Sequence, residues 1–175
     1  EKIYNSVKKA VADGYCKTFK KRANLCSGEL PEPCGDDDVV CLLPEELAEA
    51  EQLLSENPGV SLLSGTTDIV PDLKNGRFAT SRILDLSRLP ELRGIARDGD
   101  FIHIGSCATN GDIIRSELVK EYLPALWEAS SRSGAPAVQN RATIGGNLAT
   151  ASGAADLPSI LLPLDASVVV ESVNG

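Results

Sequence analysis

The sequence predicts an α+β fold over residues 39–175. Short apolar runs, many of them β-branched, recur at Val39–Leu43, Val60–Leu63, Arg82–Leu86 and Phe101–Gly105, at strand length. Between them lie segments with helical spacing and helix-start residues. Gly and Pro clusters punctuate the joins. The chain has 175 residues, 42 % hydrophobic and 24 % charged, which is globular composition and enough for one ordinary core plus an arm.

The elements follow in order. Residues 1–25 read as one helix, broken at Gly14, with Ile3, Val7, Ala10 and Val11 on one face and lysines opposite. Ser27 to Asp38 holds two Pro, two Gly and an acidic run, and reads as a linker. The expected organisation is therefore an N-terminal helical arm and linker over 1–38 and a domain over 39–175. Within the domain, Val39–Leu43 is a strand. Pro44 opens a helix to about Ser55, with Leu47, Ala50, Leu53 and Leu54 facing the core, and Asn57-Pro58-Gly59 stops it. Val60–Leu63 is a second strand, followed by the loop Ser64 to Thr67 and a short helix from Asp68. Ile95 starts a hairpin closed at Asp98-Gly99, with Phe101–Gly105 as its return strand. Thr109 and Ser116 each cap a helix, and Pro124 opens a stronger one carrying Leu126, Trp127 and Ala129 inward. Leu157–Leu164 reads as helix and Ser167–Glu171 as strand. Asn174-Gly175 is a hairpin signal with no return strand after it, so the chain is expected to be one piece of a longer polypeptide.

Charge and cysteine content narrow the function. The net charge of -8 divides unevenly: residues 1–22 are basic and residues 23–73 carry acids but no Lys or Arg. The basic arm lacks the aromatic interleaving of a nucleic-acid surface, so it reads as a solvated face or as a linker on an acidic partner. No apolar run approaches the roughly 18–20 residues of a membrane-spanning helix. The opening Glu1-Lys2-Ile3-Tyr4 does not read as a secretory signal. Five scattered cysteines (Cys16, Cys26, Cys34, Cys41, Cys107) form no C-x-x-C pair and, being odd in number, no complete disulfide framework. They read as packed thiols in a reducing, cytoplasmic compartment, with an iron–sulfur role for the first four as the alternative. One His leaves little for a zinc site, and His103 falls on the solvent side of an alternating strand.

Two glycine loops stand out. Leu63-Ser64-Gly65-Thr66-Thr67-Asp68-Ile69 carries a strand into a helix, and Thr143-Ile144-Gly145-Gly146-Asn147-Leu148-Ala149-Thr150 is the second. Both present backbone N–H groups beside small residues, which suits a phosphate, and both are also compatible with ordinary turns. Neither fits G-x-x-x-x-G-K-[ST] or G-x-G-x-x-G, which argues against a P-loop ATPase or a Rossmann domain. A dinucleotide held by backbone donors fits better.

The stretch Gln139 to Ala166 (QNRATIGGNLATASGAADLPSILLPLDA) resembles the second flavin-binding signature of the molybdenum hydroxylase flavoproteins, the FAD domains or subunits of xanthine dehydrogenase, carbon monoxide dehydrogenase and their relatives. Val60 to Gly76 (VSLLSGTTDIVPDLKNG) is similar to their first signature, A-G-G-T-D. The intervening landmarks, Asp85 to Ile95 and Phe101 to Ile113, occur in the family's order. The resemblance implies an FAD-binding fold of the p-cresol methylhydroxylase (PCMH), or vanillyl-alcohol oxidase, type. It has two small subdomains, and this chain stops before the C-terminal flavoprotein domain. It implies that Leu63, Ser64, Gly65, Thr66, Thr67, Asp68 and Ile69 wrap the FAD diphosphate. Thr143, Gly145, Gly146, Asn147, Ala149 and Thr150 would grip it from the other side.

Asp156 falls where the family has an acid reaching toward the flavin ring. It also reads as a charge at a helix start. Two departures are expected to be tolerated: Thr66 replaces a second Gly, and Gly153 replaces a Pro. The implied chemistry is electron relay. A molybdenum cofactor and two-iron two-sulfur clusters on partner domains or subunits deliver electrons to FAD, and NAD or another acceptor takes them. No general acid or base is expected here. Residues 1–38 match nothing in the flavin domain and read as the tail of an upstream iron–sulfur domain plus linker. The competing reading is a non-catalytic assembly module with degenerate flavin loops. Another flavoenzyme of the same broad fold fits the connecting landmarks less well.

Overall fold

A computed structural model describes residues 40–75, 80, 82–153 and 155–172. The helix expected over 1–25, the linker and Cys16, Cys26 and Cys34 lie outside the described residues.

The first subdomain is a three-stranded parallel sheet. β1 (Val40–Leu42), β2 (Ser61–Leu63) and β3 (Arg82–Asp85) are ordered β1-β3-β2, with β3 central. Cys41 faces Ile83 across one seam, and Leu62 faces Leu84 across the other. Ile83, Leu84 and Asp85 are all buried, as a central parallel strand requires. The crossovers are α1 (Leu47–Glu56) and α2 (Ile69–Lys74). Leu63, Val70 and Ile83 form the core, flanked by Cys41, Ile69 and Leu73.

Helix α1 corrects one expectation. It starts at Leu47 rather than at Pro44, which is buried in the lead-in. The Glu45 N–H donates to the Glu49 carboxylate at 2.7 Å, so an acid within the first turn organises the start. Ala50 is buried and Leu47 and Leu53 half-buried, but Leu54 is exposed, on a side that nothing covers among the described residues. Asn57 ends the helix, its backbone and side-chain N–H groups both donating to Leu53 O.

The second subdomain is a hairpin on a helical cluster. β4 (Ile95–Asp98) pairs antiparallel with β5 (Phe101–Ile104), and Gly99 turns the chain at φ +56°. Ile95 and Ile104 point to the core, while His103 is exposed opposite Ala96. Helices α3 (Asn110–Arg115), α4 (Glu117–Tyr122), α5 (Pro124–Arg132), α6 (Pro136–Gln139), α7 (Ile144–Thr150) and α8 (Asp156–Leu161) follow. Thr109 and Asp112 form a reciprocal capping box on α3, Ser116 caps α4, and Pro124 is the first residue of α5. Ile113, Val119, Leu126, Ile144 and Leu157 make the core. Trp127 packs half-buried against it and donates its indole N–H to Ile114 O at 2.9 Å.

Two further expectations give way at the C-terminal end. α8 stops at Leu161, where a turn leaves Leu162 84 % exposed and Asp165 at φ +53°. Ser167 to Glu171 pairs with no strand among the described residues, and Val168, Val169 and Val170 are exposed. Strand propensity needs a neighbouring edge to act on, and the described residues offer none there.

Candidate functional site

The site begins at the carboxyl end of the parallel sheet, where open α/β sheets bind ligands. β2 leads into Ser64-Gly65-Thr66-Thr67-Asp68, and β3 leads into Leu86-Ser87-Arg88. Leu63 and Ile69 bracket the first loop with side chains in the core, so they position it rather than line it. Among the described residues the main-chain N–H groups of Ser64, Gly65, Thr66, Thr67 and Asp68 have no protein acceptor. Thr66 holds a left-handed φ of +73°, a strained place for a β-branched residue. Its buried Oγ1 has no partner.

The second loop meets the first directly. A Cβ on Gly65 would run into the backbone carbonyl of Arg141, so only glycine permits this approach. The hydroxyl of Thr150 donates toward Asp68 Oδ2 (3.1 Å) and Gly146 O (2.9 Å). Thr143 caps α7, its Oγ1 accepting from the Gly146 N–H at 3.2 Å. The other leading amides of α7 are also engaged. Ile144 N–H donates to Ala108 O, Gly145 N–H to Ser106 O and Asn147 N–H to Thr143 O. Gly145 sits so close to Ser106 that a Cβ would lie 2.6 Å from its carbonyl oxygen. Asn147 keeps a buried, unpartnered Oδ1.

A third segment, Ser106 to Thr109, lies within the landmark Phe101 to Ile113 and is not among the expected site residues. It joins the two loops. Thr109 bridges Thr143 in antiparallel fashion, and the Ser64 hydroxyl lies 3.1 Å from Cys107 Sγ. Its sequence signal was the capping pair Thr109 and Asp112, which fixes a helix start and says nothing of which loops that start will touch. The two loops are thus brought together, Thr150 through its bond to Asp68 although it is exposed at the end of α7. Ala149 is exposed beside it, and Asp156 is exposed at the start of α8, which packs against α7.

Together the segments line a cleft of about 310 Å³, formed by Ser64, Gly65, Ser87, Arg88, Arg93, Cys107, Thr109, Asn140, Arg141 and Thr143. Burial pushes the Cys107 thiol up, helped by the charge of Asp85, against opposing hydrogen bonds from Ser64 and Ser106 and the nearby charge of Arg93. Burial followed by Asp85 raises Cys41 too. Both thiols are free and neither is primed as a nucleophile. Burial disfavours the charge on Asp112, but the Thr109 hydroxyl and N–H and then Arg115 outweigh it and hold the carboxyl below its usual range. No group of His, Cys, Asp or Glu suited to a metal ion occurs among the described residues.

The donor set suits an anion with several oxygens. Five consecutive main-chain N–H groups, a buried Thr66 hydroxyl and a buried Asn147 carbonyl oxygen await partners, which a dinucleotide diphosphate and its adjoining polyol supply.

Comparison with known proteins agrees. Residues 37–175 match the family described as the FAD binding domain in molybdopterin dehydrogenase, and the chain belongs to that family. It is 37 % identical over 140 residues to the nicotinate dehydrogenase FAD-subunit of Eubacterium barkeri, covering 79 % of this chain and 47 % of that protein. It is 35 % identical over 133 residues to the carbon monoxide dehydrogenase medium chain of Hydrogenophaga pseudoflava, covering 75 % and 46 %. The solved structure of carbon monoxide dehydrogenase from the same organism superposes with a TM-score of 0.76 at 32 % identity, covering 84 % of this chain and 50 % of that one. The fold is therefore of the PCMH type, as expected. The chain spans about half the length of the curated relatives it matches.

Proposed function

We propose that the chain binds FAD across the meeting of its two glycine loops and forms the electron-transferring flavin part of a molybdenum hydroxylase. The observation that carries this reading is the run of five main-chain N–H groups without acceptors from Ser64 to Asp68, held against the second loop by Gly65. FAD, when bound, supplies reversible two-electron and one-electron transfer.

The chain's residues divide the work of holding it. Ser64 to Asp68 donate to the diphosphate. Ile144 and Gly145 fix the second loop against Ala108 and Ser106, and Thr143 caps it through the Gly146 N–H, so that these residues shape the opposite wall. Asn147 offers its buried oxygen to the polyol. Asp156, exposed at the start of α8, is the acid that would reach toward the flavin ring. The partners are a molybdenum-cofactor subunit and an iron–sulfur domain or subunit, and NAD is the electron acceptor of this reading. The activity is of the xanthine dehydrogenase kind, and free Cys41 and Cys107 support a cytoplasmic setting.

The test is spectral. The purified full-length protein should carry the visible flavin band, and after reduction NAD should restore that band. A band restored only by oxygen removes NAD from the reading. A colourless protein that takes up no added FAD overturns the reading in favour of the assembly module, which the strained φ of Thr66 supports.

A further inference from the structure

The cleft contains a feature outside both glycine loops. Of the ten Lys and Arg residues after Val39, three (Arg88, Arg93 and Arg141) line it, and no Asp or Glu does. This is a local excess of positive charge in a chain of net charge -8. Arg88 follows β3 and Arg93 follows a 3₁₀ turn over Pro90–Leu92, so two rigid elements carry them to the rim. That turn is tied to the third segment, because Cys107 N–H donates to Leu92 O at 2.6 Å. Among the described residues the ion pairs join Arg115 to Asp112 and Arg132 to Glu128, and neither Arg88 nor Arg93 enters one.

We propose that Arg88 and Arg93 are the side-chain half of an anion site whose main-chain half is Ser64 to Asp68, and that together they bind the diphosphate of FAD. The proposal rests on the FAD reading above and adds binding residues to it. Guanidinium groups form short charge-assisted bonds to phosphate oxygens, and Arg88 and Arg93 line the same cleft as Ser64 and Gly65. Arg141 lines the same cleft from the residues that lead into the second loop.

The test is titration of the full-length protein, freed of flavin, with FAD and with riboflavin, which lacks the phosphates. Arg88→Gln and Arg93→Gln should each weaken FAD binding about tenfold and leave riboflavin binding unchanged. Arg132→Gln, exposed at the end of α5 in its pair with Glu128 and outside the cleft lining, should change neither. Inorganic pyrophosphate should compete with FAD on the unmodified protein, a measurement that needs no variant to fold. FAD affinity within twofold of the unmodified protein in the double variant overturns the proposal and leaves the FAD reading standing. So does an equal loss for riboflavin, or the absence of pyrophosphate competition. Variants that keep FAD but lose NAD binding assign the arginines to the NAD diphosphate and overturn it as well. An unmodified protein that binds no FAD removes both readings together.

Discussion

Gly65 and Gly146 belong to similar-looking loops but differ in what a side chain would cost. A Cβ at Gly65 meets the Arg141 backbone, whereas one at Gly146 meets only the Thr143 hydroxyl, at 2.9 Å. Gly65→Ala is expected to destabilise the protein by about 1–3 kcal/mol and to weaken FAD binding, and Gly146→Ala by under about 1 kcal/mol. Thermal melting with and without FAD separates the two, and equal melting losses contradict the packing described. Thr66 offers a subtler case. Its buried hydroxyl has no protein partner, so Thr66→Ala removes nothing that the flavin-free fold uses. FAD affinity should fall roughly fivefold to tenfold while the flavin-free melting temperature stays level or rises. A falling melting temperature with unchanged affinity would place that hydroxyl in the fold instead of the site.

At the level of elements, the capping box on α3 anchors the third segment of the site. Asp112 has its carboxyl held below the usual value of 3.8, so the folded state favours the charged form. The sign follows: this stabilisation is fully present above pH 3.8 and disappears as pH falls through the lower folded value. Asp112→Asn should cost about 1 kcal/mol near neutrality. The difference between variant and parent in urea unfolding should close as the pH falls below 3.8 and the carboxyl takes up its proton. A gap that persists in acid would mean that the carboxylate is not the cause. Such caps were legible in the sequence because their signals are local: Thr109 with Asp112, Ser116, Pro124 and Gly99 each act within four residues. Pro44 misled because an acid five residues on, Glu49, organises the helix start. Val168 to Val170 misled because β-branching expresses a preference that only a neighbouring strand can satisfy. The two loops were legible as phosphate-compatible turns. Their division of labour was not, since engagement of the α7 amides depends on Ser106 and Ala108, more than thirty residues away. Arg88 and Arg93 stand in the landmark Asp85 to Ile95, but no spacing along the chain marks them as neighbours of Ser64.

On the scale of the whole molecule, the described residues form two apolar cores, with the glycine loops meeting where Gly65 abuts Arg141. The chain's one tryptophan, Trp127, packs against the second core only. Leu126→Ala, at a fully buried position beside it, should destabilise that core by about 2–5 kcal/mol. Tryptophan emission should then shift at a lower temperature than in the parent. With FAD bound across the loops, the melting of the first subdomain, read by circular dichroism, should move with it. Independent melting of the two halves in the FAD-bound protein would show that the loops do not couple them.

The bond between Asp68 and Thr150 spans 82 positions. A ribosome adding about 5–20 residues per second needs on the order of ten seconds to travel that far. Throughout that interval the nascent chain exposes its cradle of unclaimed amides before the opposing wall has been made. Cofactor capture thus waits on the closing of a long loop, and the seam between the halves is a late event in the birth of the protein.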